Sequence, residues 1–372
     1  VDGWIILLLM GGLSISFFIY QVVKATRLVM LGAPDNRFDS WGIRIKEMLV
    51  GWLGQKKVLR DKVAGTMHVL MFWGFLMLGS DMLDLVSANY FSDKILPEFL
   101  NNPWNGIVEL GYTTALLGAL AALTRRVLFT PEKLKGKSQL EGNFILVLIL
   151  TITSTSFIIE SSENPSSIWE PLGHWVSGLG LSENFIVASY WAHMISICCF
   201  LVLIPVSKHM HLVMAIPNVF FHDTQALGKM RPLAIGDDGK AVPLEDLDID
   251  SFGVSTFDQY TWRQIIDGWS CTSCARCQDV CPAYESGKGL NPMQVIHDVR
   301  NYANEYAPIL LKGENPEETM LARITSEAVW ACTTCNACVD ICPLYIEHVP
   351  KLTELRRNPM METMDYPEEL NV

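Results

Sequence analysis

Five stretches of the chain are apolar for long enough to cross a bilayer, which takes roughly 20 helical residues. They fall near residues 4–31, 63–86, 105–124, 143–160 and 185–212. After the last of them the period is lost, and residues 213–250 collect Pro217, Pro232, Gly236, Asp237, Asp238, Gly239 and Pro243. Such composition marks a surface linker with short turns at Asp238 and Gly239. A helical period then returns, with Met293, Ile296, Val299 and Tyr302 over 292–306 and Met320, Leu321, Ile324 and Val329 over 317–330. These stripes are read as core packing. The predicted fold is all-α: a five-helix membrane domain over 1–222, a linker over 223–251 and a helical domain over 252–372.

Charge orients this plan. The connection at 32–62 holds Arg37, Arg44, Lys46, Lys56, Lys57, Arg60 and Lys62, and that at 125–142 holds Arg125, Arg126, Lys133, Lys135 and Lys137. The connection at 87–104 has only Lys94, and 161–184 has no Lys or Arg. Basic loops stay on the cytoplasmic side, so five spans put the N-terminus outside and the C-terminal domain in the cytoplasm. The first span lacks the short core and cleavage site of a signal peptide and is expected to be retained. Residues 1–222 carry 16 Lys and Arg against 16 Asp and Glu, whereas 223–372 carry 12 against 24, so the net charge of −12 sits on the C-terminal part. An acidic domain argues against nucleic acid and for a protein partner.

Eight of the ten cysteines form two runs of one pattern: Cys271, Cys274, Cys277, Cys281 before Pro282, and Cys332, Cys335, Cys338, Cys342 before Pro343. The spacing C-x2-C-x2-C-x3-C-P is that of two-cluster ferredoxins, in which the fourth cysteine crosses to the other cluster. It assigns Cys271, Cys274, Cys277 and Cys342 to one [4Fe-4S] cluster, and Cys332, Cys335, Cys338 and Cys281 to a second. Zinc sites use pairs of ligands without the closing proline, and disulfides need an oxidising compartment. Cys198 and Cys199, in an apolar run, are expected in the core. Gly236 and Gly239 lack the companions of a phosphate loop, so no nucleotide site is read there.

Histidine in a span is costly and usually has a task. His68 lies about two turns into the second span, and His211 at the cytoplasmic end of the fifth, at matching depth. Two imidazoles across a bundle are the ligand set of a b-type haem. The competing reading has His68 hydrogen-bonded inside the bundle and His211 snorkelling to the headgroups.

The stretch 192–212, AHMISICCFLVLIPVSKHMHL, resembles the last span of the cytochrome b (gamma) subunit of respiratory nitrate reductases, with His193, Pro205, Ser207 and His211 on its pattern and His68, within MHVLMFWGF, on that of the second span. The resemblance covers about 220 residues and implies two haems, one per leaflet. The chain departs from it at Leu78, where the family has another histidine. His193, roughly 27 Å along a continuous helix from His211, then lacks its partner for a second haem. Met77 or His174 could replace it, or one haem is bound. His193, with Asp81, Asp84 or Glu160, could instead serve proton exchange with a quinone. His209 and His222 are expected to be ordinary surface residues.

The fifty residues at 282–331 between the runs suit the helical ferredoxin domain of fumarate reductase and heterodisulfide reductase subunits. The strings FGVSTFDQYTW (252–262), CARCQDVCPAYESGKGLNP (274–292) and VWACTTCNACVDICPLYIEHVPKLTELRR (329–357) resemble the membrane-bound iron–sulfur oxidoreductases of the heterodisulfide-reductase-like type. That resemblance spans essentially the whole chain. It implies an electron carrier of the cell inner membrane between a cytoplasmic donor, electron-transfer flavoprotein, and menaquinone. Members usually continue into two cysteine-rich CCG domains, expected here as a separate subunit or beyond this sequence. The alternative is an anchor for heterodisulfide- or sulfite-reductase chemistry.

Overall fold

The computed structural model describes residues 2–90, 101–129, 137–163, 165–230, 232–233, 242–246 and 252–370. Lys94, Lys133 and Lys135, the turn at Asp238 and Gly239, and the side chains of Asp81 and Asp84 lie outside the described residues. The chain is all-α, and the described residues form no strand. It divides into two units, Val1–Phe18 with Val58–Ser207, and Ile19–Lys57 with Lys208–Val372. This division differs from the boundary expected at 222: the connection 32–57 and residues 208–222 pack with the cysteine-bearing part.

Five helices are long and apolar enough to cross a membrane. They are α1 (Asp2–Val29), α3 (Lys62–Tyr90), α4 (Asn101–Leu128), α5 (Lys137–Glu160) and α7 (Glu183–Val206), with short helices α2 (Trp41–Glu47) and α6 (Pro171–Ser177) between them. In the first unit α3 packs on α4, α4 on α5 and α5 on α7. Small residues bring the first pair close, since a Cβ at Gly74 would stand 2.7 Å from the Gly111 carbonyl oxygen. Close backbone approach is how helices associate where lipid removes the hydrophobic drive. Along α5 the hydroxyls of Thr151, Thr153, Thr155 and Ser156 donate back to carbonyls four residues earlier, so these four are paired within the helix. Glu109, buried on α4, accepts from the backbone N–H groups of Leu172 and Gly173 at 3.0 and 2.9 Å and caps α6.

The fifth span does not run unbroken to 212. Pro205 cannot donate to the helical ladder, α7 ends at Val206, and Ser207 is extended (φ −116°, ψ −177°). A single turn at Lys208–Met210 leads into α8 (His211–Phe220). His193 and His211 therefore stand on different helices, and the rise of one helix no longer relates them.

The second unit is built around α9 (Trp262–Ser270), whose start is fixed by a reciprocal Thr261 and Gln264 cap. Helices α10 (Arg276–Asp279), α11 (Pro282–Glu285), α12 (Pro292–Glu305), α13 (Ala307–Leu310), α14 (Met320–Ile324), α15 (Ser326–Trp330), α16 (Ala337–Ile341) and α17 (His348–Glu362) follow. Asn291 caps α12 at the expected place. The helix expected at 317–330 is instead two, because Thr325 adopts φ 74° and its side chain caps the second by accepting from Ala328 N. The core gathers Phe257, Tyr260, Ile265, Val299, Tyr302 and Leu355.

A buried ion network fastens this unit. Asp267, fully buried on α9, accepts from Arg263 Nη1 at 2.7 Å, from the Lys351 ammonium of α17, and from Glu347 N at 3.0 Å. Burial alone would raise the Asp267 carboxyl; the two cations outweigh it and hold it at about 2. Glu347 extends the network to Arg37 at 2.9 Å, and Arg44 donates to the carbonyls of Phe220 and His222. Both arginines are buried. These two cations of the basic connection are spent on docking 32–57. Ala33 exchanges backbone hydrogen bonds with Tyr260 and Trp262, and a Cβ at Gly32 would stand 2.5 Å from Trp262 N, which is why glycine precedes it.

Candidate functional site

The two cysteine runs follow one path. Left-handed residues recur at matching places, Ser273 (φ 56°) and Ala275 (φ 61°) in the first, Thr334 (φ 55°) and Asn336 (φ 59°) in the second. Such backbone is disfavoured outside glycine and here turns successive thiols inward; Thr334 N donates to Cys332 Sγ at 3.4 Å. Each run enters a short helix, α10 or α16, and closes on Cys-Pro.

Folding then exchanges the fourth cysteines. One cavity is lined by Cys271, Cys274, Cys277 and Cys342, with Met293, Leu344 and His348. The other is lined by Cys332, Cys335, Cys338 and Cys281, with Leu290, Pro292 and Leu352. Cys277 and Cys338 share an apolar patch with Val349, so the two sets stand back to back. Burial pushes the Cys271 and Cys342 thiols up to about 12, and those of Cys277 and Cys338 further, with neighbouring cysteines adding to the rise. Four thiolates in such a place need the positive charge of bound iron. Among the described residues no three His, Cys, Asp or Glu are grouped to hold a single metal ion. Four thiols line each cavity, three from one run and the fourth from the other, which is the ligand set of a cubane.

Three neighbours of these sets escaped sequence reasoning because no spacing marks them. His297 Nε2 on α12 lies 3.7 Å from Cys271 Sγ and 3.0 Å from Ser273 Oγ. His348, buried at the first cavity, turns Nδ1 to the Ile346 carbonyl, and burial pushes its pKa down to about 4. Arg356 donates to the Val329 and Cys332 carbonyls beside the second set and lies over the Trp330 ring.

The histidines of the spans have distinct settings. His68 on α3 stacks on Phe72, with ring centroids 6.3 Å apart. His193 on α7 turns Nδ1 to Thr155 Oγ1 (3.0 Å) and the Ile152 carbonyl (3.1 Å) on α5. His211 turns Nδ1 to the Lys208 carbonyl at 2.9 Å. A carbonyl only accepts, so Nδ1 carries the proton at His193 and His211 and Nε2 keeps its lone pair, the form that binds a metal. Met77 packs its Cβ against Gly111 beside Leu78, His174 Nδ1 faces the Pro165 carbonyl, and the Glu160 carboxylate lies against Gly173. His222 is not a surface residue: it is buried, with its ring 4.7 Å from that of Tyr345. Cys199 is exposed on α7 rather than in a core, and Cys198 is half-buried.

Residues 263–343 match the 4Fe-4S dicluster domain family. Over 98% of its length the chain is 28% identical to the EtfAB:quinone oxidoreductase of Syntrophomonas wolfei, covering 56% of that protein. Over 95% it is 27% identical to the probable iron-sulfur-binding oxidoreductase FadF of Bacillus subtilis, covering 55%. The chain thus spans about half the length of these relatives. Over 29% of its length it is 30% identical to one polypeptide of the ferredoxin:CoB-CoM heterodisulfide reductase of Methanosarcina mazei, covering 55% of that polypeptide. No solved structure matches. The chain thus carries a 4Fe-4S dicluster domain and is similar along nearly its whole length to oxidoreductases.

Proposed function

We propose that this chain is the electron-transfer subunit of a membrane oxidoreductase, passing electrons between a cytoplasmic redox protein, electron-transfer flavoprotein or a CCG-domain subunit, and menaquinone in the inner membrane. The observation that carries this reading is the pair of cavities, each lined by three cysteines of one run and the fourth of the other, in a chain that also has five membrane-length helices. Cys271, Cys274, Cys277 and Cys342 hold one [4Fe-4S] cluster and Cys332, Cys335, Cys338 and Cys281 the second; these groups supply one-electron carriers.

His68 and His211 are the axial ligands of a b haem. In support, the Lys208 carbonyl orients His211 with Nε2 as the ligating atom. His193, oriented by Thr155 and Ile152, is assigned to the quinone. The relatives that match over nearly the whole chain are oxidoreductases, one of them named for a quinone, whereas the likeness to heterodisulfide reductase covers 29% of the chain. This favours the quinone-linked reading over an anchor for disulfide chemistry. The test is to purify the assembly, identify what co-purifies, and follow menaquinone-analogue reduction by reduced electron-transfer flavoprotein. Reduction that disappears in Cys277→Ser and slows in His193→Ala is expected; a thiol or sulfite reductase partner with no quinone reduction would refute it.

A further inference from the structure

The two cysteine sets are not equivalent in their surroundings. Helix α8, which starts at His211, is fastened along its length to the residues around the first set. Ser270, next to Cys271, donates its hydroxyl to the Met214 carbonyl at 3.1 Å. One turn after His211, Ala215 is buried in an apolar group with Cys271, Cys342, Leu344 and Ile346. Asn218 donates to the Leu344 carbonyl at 2.7 Å, two residues past Cys342. Arg263, fully buried, holds the Asn218, Phe221 and Tyr345 carbonyls together. The second set is more open. Its Cys335 is exposed and Cys332 half-buried, whereas three of the four cysteines of the first set are buried.

From this asymmetry we infer that the set Cys271, Cys274, Cys277 and Cys342 is the electron port to the group on His211, exchanging electrons with it through α8, while the set with exposed Cys335 is the port for the soluble partner. The inference rests on the proposed haem ligation by His211 and adds an order to it. One electron leaves the reduced cluster of the first set, which returns to its oxidised state, and one ferric haem iron becomes ferrous; no proton moves. The electron is replaced from the second set across the Cys277 and Cys338 contact. Ala215 is a positioning residue on this route, since its small side chain lets α8 lie against Cys271 and Cys342.

The test uses the full chain in detergent. Irradiating the oxidised protein at cryogenic temperature places electrons on both clusters while most haems remain ferric, and power-saturation EPR then reports which cluster is relaxed by the haem spin. Cys274→Ser and Cys335→Ser, which keep an oxygen ligand at the less buried positions, identify the signals of the first and second sets. The signal that moves in Cys274→Ser should relax faster, and its half-saturation power should fall severalfold in His211→Ala. The signal that moves in Cys335→Ser should change much less. If that second signal is the faster one, or both fall equally, the order is wrong although the haem reading stands. If the optical spectrum of the unsubstituted chain has no haem bands, the haem reading fails and the order falls with it.

Discussion

Replacing Asp267 with asparagine keeps the shape of the α9 side chain and removes the one charge on which Arg263 and Lys351 converge. Arg263 retains Glu347, at 3.5 Å. Lys351, fully buried, loses its close counter-charge and is left with neutral acceptors, the Glu347 carbonyl and the new amide oxygen. Breaking a buried pair from one side typically costs about 3–5 kcal/mol. An independent bound agrees: a lysine can escape by losing its proton, which at pH 7 costs about 4.6 kcal/mol for an ordinary pKa near 10.4. The expected loss is therefore about 3–5 kcal/mol, or a fall in Tm of roughly 6–20 °C for a unit of this size. Tryptophan fluorescence during heating reads it, since Trp262, Trp269 and Trp330 lie in the same unit. Arg323→Gln is the control, because its pairs with Glu305 and Glu318 are partly exposed and worth at most about 1 kcal/mol. Equal shifts in the two variants would refute the account of the network. The pH dependence has a definite sign: a carboxyl held at about 2 against 3.8 unfolded contributes about 2 kcal/mol above pH 4 and loses it as pH falls towards 2.

Serine at Cys281 should perturb the cluster held by Cys332, Cys335 and Cys338; iron counts and EPR showing loss at Cys271, Cys274 and Cys277 instead would reject the crossed ligation. One haem per chain is expected by pyridine haemochromogen, lost in His68→Ala or His211→Ala and kept in His193→Ala, while two would mean that Met77 or His174 completes a second site. Reporter fusions at 87–104 and 161–184 should register outside and those at 125–142 in the cytoplasm; a cytoplasmic signal from 161–184 contradicts the orientation.

The elements were legible where the determinant is local. Apolar length alone located five helices of membrane-spanning length to within a few residues at most ends, and the period at 292–306 located α12 to within a residue, because hydropathy and helical period act within a few turns. The repeated cysteine spacing announced a dicluster domain for the same reason: three thiols within seven residues are already neighbours in any compact turn. Local signals misled where a backbone event overrode them, as at Ser207 after Pro205, which ends α7 before His211, and at Thr325, whose φ of 74° splits the helix expected at 317–330.

What only the tertiary structure decided is which distant residues meet. Arg37 and Arg44 look in sequence like ordinary cytoplasmic loop charges, yet they are buried against Glu347 and the carbonyls of Phe220 and His222. His222, beside Tyr345, and His297, beside Cys271, belong to the same class. The physical reason is common to all of them. A buried cation or imidazole is tolerated only where a partner satisfies it, and here those partners come from chain segments tens to hundreds of residues away, brought alongside by core packing that no local spacing records.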